Sequence, residues 1–124
     1  MKLAVCSQGK SLDSSVDPRF GRCACFVIVD TETGETQYLD NSAVSAAHGA
    51  GSAVVQSLAD AGVEAVCAEH IGPNAFFGLS GMGIAMYRTE GLHSVKDAIE
   101  TFKSGTLALH KEATTYSTPR EPVR

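Results

Sequence analysis

The run Cys23-Ala24-Cys25-Phe26-Val27-Ile28-Val29-Asp30 constrains the fold more than any other stretch. A strand with one wet face alternates apolar and polar residues, and this run does not alternate. It reads as a central strand of a sheet covered on both sides. Thr31-Glu32-Thr33-Gly34 follows as a tight turn, with glycine supplying the positive φ, and Glu35 to Asp40 returns as the partner strand. A sheet buried on both faces needs helices, and the rest of the chain supplies them. Ser52 reads as the N-cap of a helix through Ala61, with Val54, Val55 and Leu58 on one face and Gly62 as its stop. Pro73 suits the first turn of a second helix ending near Gly81 to Gly83. Ser94 with Asp97 resembles a capping box for a third, which carries Val95, Ala98, Ile99 and Phe102 and stops at Gly105.

Short apolar runs at Lys2 to Cys6, Glu64 to Ala68 and Ile84 to Tyr87 complete the strands. The expected fold is a single α/β domain with a five-stranded mixed sheet. Its first three strands form an antiparallel meander, and two parallel strands follow through right-handed helical crossovers. The 124 residues suffice for one such domain and not for two. Residues 1–109 make the domain, and residues 110–124, which begin at His110 and turn polar, are expected to be a mobile tail.

This strand order brings three loops to one edge of the sheet: Ser7 onward, the connection ending in His48-Gly49-Ala50-Gly51, and Cys67 through Asn74. Open α/β sheets bind ligands at the carboxyl ends of their parallel strands. The first loop carries Lys10, Arg19 and Arg22 against Asp13 and Asp17, so it is locally basic inside a chain of net charge −4. The Gly72-Pro73-Asn74 turn presents helix-start amides, which favour an anion. His48, His70 and, more weakly, Cys67 are the candidate metal contacts.

Several function classes fall away. An acidic chain of pI about 5.5 is not expected to bind nucleic acid. No apolar run approaches the roughly 20 residues of a membrane span. The first residues lack the longer apolar core and cleavage site of a signal peptide, which makes the cytoplasm the expected location. Cys6, Cys23, Cys25 and Cys67 contain no CxxC, so a structural zinc site is a poor reading, and free thiols are expected in a cytosolic chain. Neither glycine loop is a phosphate-binding Walker loop or a dinucleotide fingerprint. Cys67 and His70 form a nucleophile pair only on paper, because no third orienting group stands nearby. Soft sulfur with imidazole suits copper, iron–sulfur or mixed clusters. A preassembled anionic cluster needs little covalent ligation, since amides, arginines and one or two imidazoles can hold it.

Ser14-Ser15-Val16-Asp17-Pro18-Arg19-Phe20-Gly21-Arg22-Cys23, the hairpin with Asp30 and Gly34, His48-Gly49-Ala50-Gly51 and Ile71-Gly72-Pro73-Asn74-Ala75-Phe76 resemble the dinitrogenase iron–molybdenum cofactor-binding family. The resemblance runs in order over residues 2–109. It implies a ribonuclease H-like fold without ribonuclease chemistry. It also implies a molybdenum-containing metal–sulfur cluster, either iron–molybdenum cofactor-like or a molybdenum–copper sulfide, held largely non-covalently. Some family members are small stand-alone proteins of anaerobes, and one such type holds the molybdenum–copper cluster.

By motif match His48 falls in the family's histidine loop, and Gly72 and Asn74 fall in the turn beneath the ligand. His70 is a less general feature of the family. The expected cofactor-binding residues are Arg19, Phe20, Gly21, Arg22, His48, Gly49, Gly51, Gly72, Pro73 and Asn74. The leading expectation is a non-enzymatic cluster carrier, monomeric or weakly dimeric, that exchanges its cluster with a donor or acceptor protein. A metal-free interaction or regulatory module and a small hydrolase using Cys67 remain as alternatives.

Overall fold

The protein is described by a computed structural model, covering residues 1–41, 50–89, 91–111 and 113. Among these residues the sheet is formed by β1 (Lys2–Ser7), β2 (Cys25–Asp30), β3 (Thr36–Asp40), β4 (Ala65–Cys67) and β5 (Ala85–Tyr87). The helices are α1 (Ala50–Asp60), α2 (Pro73–Gly81) and α3 (Val95–Lys103), with a single 3-10 turn at Phe20–Arg22. The strand order is β3-β2-β1-β4-β5. β1 pairs antiparallel with β2 and parallel with β4; β2–β3 is antiparallel and β4–β5 parallel. The expected five-stranded mixed sheet is therefore the observed one.

The period of two in β1 and β2 splits the core cleanly. Ala4, Cys6, Phe26, Ile28 and Val66 face one side and pack with Val54, Val55 and Leu58 of α1 and with Ala75 and Leu79 of α2. Leu3, Val5, Val27, Val29 and Cys67 face the other and pack with Val95, Ala98 and Ile99 of α3. The unbroken apolar run of β2 follows from this two-sided cover. Gly78 permits a close approach of the two helices, because a Cβ there would meet Val55 Cγ2 at 3.2 Å.

Local signals fall close to where the residues place them. Gly34 turns the hairpin at φ 82°, and Gly62 and Gly105 close α1 and α3 at φ 83° and 78°. Pro73 opens α2, and Ser94 accepts a 3.1 Å hydrogen bond from the Asp97 amide. Two boundaries differ by more than one residue. α1 begins at Ala50 rather than after an N-cap at Ser52, so Gly51 and Ser52 lie in its first turn. The inner strand begins at Cys25 rather than Cys23, because Cys23 is spent on anchoring the 3-10 turn before it.

The segment after α3 does not leave the domain at once. The Arg88 amide donates to the Ala108 carbonyl at 2.8 Å, and Tyr87 and Leu109 form an antiparallel bridge. The amide of His110 donates to the Met86 carbonyl at 2.9 Å, and its ring Nε2 donates to the Ala68 carbonyl at 2.7 Å. His110, expected at the head of a mobile tail, is thus tied to the last two strands.

Candidate functional site

β1, β3, β4 and β5 end at one edge of the sheet, and the loops after β1, β4 and β5 are bonded to one another there. The basic loop is stitched to its neighbours mainly through the backbone. Arg19 and His70 form a parallel bridge: the His70 amide donates to the Pro18 carbonyl at 2.6 Å, and the Phe20 amide to the His70 carbonyl at 3.0 Å. On its other flank the Val16 amide donates to the His93 carbonyl at 2.9 Å, and the Val95 amide to the Ser14 carbonyl at 2.9 Å. A loop dense in Ser, Gly, Asp and Pro becomes ordered because these bonds satisfy its amides and carbonyls.

Phe20 is the anchor of the loop. It is buried against Phe26, with ring centroids 5.5 Å apart. Its neighbours Arg19 and Arg22 are exposed as a consequence, one on each side of the buried ring. Asp17 is buried; its amide donates to the Cys6 carbonyl, and its carboxylate accepts from the Arg19 amide at 3.0 Å. The same carboxylate lies 3.6 Å from Arg19 Nε and partly offsets that charge. Arg22 has no ion-pair partner among the described residues, whereas Lys10 pairs with Asp40 at 2.9 Å. Of the loop's three cations, Arg22 is therefore the one with the least local compensation.

Two residues beyond His70 stands the start of α2. Gly72 is its N-cap in extended geometry and supplies no capping side chain, and Pro73 brings no amide hydrogen. Among the described residues nothing accepts from the Asn74 and Ala75 amides, which stand at the positive end of the helix dipole. Among the same residues, a Cβ at Gly72 or at Gly21 would meet nothing within 4 Å. Both glycines leave open space where the loop faces the helix start, and Pro73 and Asn74 are exposed beside it. This donor set fits an anion. Among the described residues no three His, Cys, Asp or Glu side chains converge as a metal-ligating group. The donors found among those residues are backbone amides and guanidinium groups.

The other candidates lie as follows. His70 is half-buried on the bridge just described. Cys67 is fully buried in the α3 face of the core, away from α2, and burial pushes its thiol up to about 12. His48 and Gly49 lie outside the described residues, and of Gly51 only its place in the first turn of α1 is described. The connection that carries His48 nevertheless starts at this edge. Asn41, its first residue, donates its amide hydrogen to the Ala24 carbonyl at 3.1 Å.

Sequence reading missed what Asn41 does. Its side-chain Nδ2 donates to the Cys23 carbonyl at 2.9 Å and to the Gly21 carbonyl at 3.3 Å, clamping the arginine-bearing turn. An asparagine directly after a strand is a usable signal for such a loop clamp. Glu69 and Arg88 were missed too. They pair at 3.0 Å across the ends of β4 and β5, which local periodicity does not bring together.

A family model described as dinitrogenase iron-molybdenum cofactor matches residues 1–105. An uncharacterised protein of Methanocaldococcus jannaschii is 33% identical over 98 residues, covering 77% of this chain and 82% of its own length. The apo form of the orange protein from Desulfovibrio gigas superposes with a TM-score of 0.88 at 35% identity, over 92% of this chain and 96% of that one. The NMR structure of a Thermotoga protein described as a NifB candidate gives a TM-score of 0.82 at 41% identity, over 92% and 97%. On the match over residues 1–105, the chain belongs to the dinitrogenase iron–molybdenum cofactor family.

Proposed function

We propose that the protein binds and carries an anionic, molybdenum-containing metal–sulfur cluster at the edge shared by the basic loop, the His48 connection and the start of α2. The observation that carries this reading is the backbone bridge between Arg19 and His70. It fixes two exposed arginines beside a helix start that, among the described residues, no side chain caps. An anion there gains charge-assisted hydrogen bonds from guanidinium groups and direct contact with the Asn74 and Ala75 amides. The family description names an iron–molybdenum cofactor, and the similarity to the orange protein supports the same class of cargo.

In this reading Arg19 and Arg22 supply charge, Gly21 and Gly72 leave room, and Pro73 and Asn74 shape the floor. Phe20 fixes the loop from below. His48 and His70 supply imidazole contacts to the cluster metals. The protein performs no reaction on its cargo. A thiol nucleophile at Cys67 would need exposure and a lowered pKa, and burial gives it neither. The carrier works in the cytoplasm as a monomer or weak dimer and exchanges its cluster with another protein.

Anaerobic reconstitution tests the reading. Protein mixed with tetrathiomolybdate and Cu(I), and separately with isolated iron–molybdenum cofactor, is desalted and analysed for metals and visible absorption. Stoichiometric retained molybdenum with a chromophore is expected, with weaker retention in His48→Ala. A colourless, metal-free protein from both mixtures would sink the proposal and favour an interaction module on the same fold.

A further inference from the structure

Four cysteines are present, and all four are buried and free. Two of them meet behind the arginine-bearing turn. Cys6 lies on β1 and is 1% exposed; Cys23 lies 17 residues later on the basic loop and is 0% exposed. Both thiols donate to one acceptor, the Phe20 carbonyl, at 3.9 Å from Cys6 Sγ and 3.4 Å from Cys23 Sγ. Burial pushes the Cys6 thiol well up from the ordinary thiol range, and the neighbouring Cys23 adds to the shift. Cys25 instead donates to the Gly9 carbonyl at 3.1 Å, and Cys67 sits in the other core cluster. Nothing in the cluster-binding reading uses this thiol pair.

We infer that Cys6 and Cys23 are a redox-modification site that closes an intramolecular disulfide between the central strand and the arginine-bearing loop. The oxidant is a low-molecular-weight disulfide, RSSR. One protein thiol loses its proton and attacks RSSR, giving a mixed disulfide and one RSH. The second thiol loses its proton and attacks the protein sulfur of that mixed disulfide, expelling the second RSH. The protein loses two protons and two electrons, and RSSR gains them. Complete burial sets the kinetics. Exchange requires the loop to open, and Cys23, which the loop carries, reaches solvent before Cys6, which sits within the sheet. Once a mixed disulfide forms, its neighbour is the other thiol, so closure within the chain outcompetes stable capping.

The consequence falls on the loop. Oxidation removes both S–H donors from the Phe20 carbonyl, which lies between Arg19 and Gly21. Asn41 still holds the Gly21 and Cys23 carbonyls. The 3-10 turn is then held by a covalent strut instead of two thiol hydrogen bonds.

The test uses the full chain and glutathione disulfide, with and without mild urea, read by thiol titration after denaturation and by non-reducing peptide mapping that separates Cys23 from Cys25. The expected result is loss of two of the four thiols per chain, a Cys6–Cys23 link, and a rate that rises with urea as the loop opens. Cys6→Ser and Cys23→Ser abolish the link, while Cys25→Ser and Cys67→Ser retain it. A link from Cys23 to Cys25, stable glutathione capping, or four intact thiols when amide exchange shows the loop open would each overturn the inference. The wild-type map decides the matter even where a variant fails to fold. No cluster enters the assay, so its outcome is independent of the carrier reading.

Discussion

The two ends of the sheet are built differently. At one end the connections are short and closed by left-handed glycines: Gly34 in the hairpin, Gly62 after α1 and Gly83 after α2. At the other end the connections are long and bonded to one another, as the Arg19–His70 and Ser15–Ser94 bridges show. The glycine-closed end also has a depression lined by Lys2, Ile28, Asp30, Glu35, Thr36 and Gln37. Shape alone would put a ligand there. Charge argues against it for an anion, because Asp30 and Glu35 line it and Lys2 is drawn off to the Ala61 carbonyl at 3.1 Å. The loop end offers exposed arginines and a helix start whose N-cap glycine brings no capping side chain. For an anionic ligand the arrangement of donors outweighs depth.

The sharpest way to break this comparison is to cut the anchor of the loop end. Phe20→Ala removes a fully buried ring packed on Phe26 and should cost about 3–5 kcal/mol in urea unfolding. A cost of a few tenths would mean that the loop is not fixed from the core. A comparable effect comes from pH. Cys67 is raised from its ordinary 9.0 to about 12, so the folded state holds its proton more tightly than the unfolded chain does. That contribution is complete below pH 9 and is lost as pH rises toward 12, with an upper size of about 4 kcal/mol. Denaturation followed across this range should show a flatter alkaline slope in Cys67→Ala than in wild type. An unchanged slope would place the titrating thiol elsewhere, with Cys6 the next candidate.

Smaller effects separate the ends by function. Replacing Arg19 and Arg22 together by Gln should weaken tetrathiomolybdate binding by roughly ten- to a hundredfold, more at low salt, with stability nearly unchanged. Glu35→Gln at the depression should change binding less than about twofold. The reverse ranking would move the site to the other end. Smallest is Gly34→Ala, which forces a side chain onto φ 82° and should cost about 1 kcal/mol in unfolding without altering binding.

What the sequence disclosed follows the range of the interactions. The two-sided strand, the Gly34 turn, the Pro73 helix start and the Ser94 cap are set by neighbours a few residues apart, and all were legible. The meeting of the basic loop with the His70 segment was legible through topology, since the strand order dictates which loops share an edge. The clamp by Asn41 on Gly21 and Cys23, the Glu69–Arg88 pair and the return of His110 to Ala68 span 18 to 42 residues. No local pattern encodes them. The polar residues from His110 onward read as a tail, although Leu107 and Leu109 before them alternate as a short edge strand would.

Backbone amide shifts during titration with tetrathiomolybdate and Cu(I) address the account most directly, because they report position without assuming a ligand set. The account predicts perturbations concentrated on residues 17–23 and 69–76, with the Asn74 and Ala75 amides among the largest. Perturbations centred on Lys2, Asp30, Thr36 and Gln37, with the arginine-bearing loop silent, would contradict it.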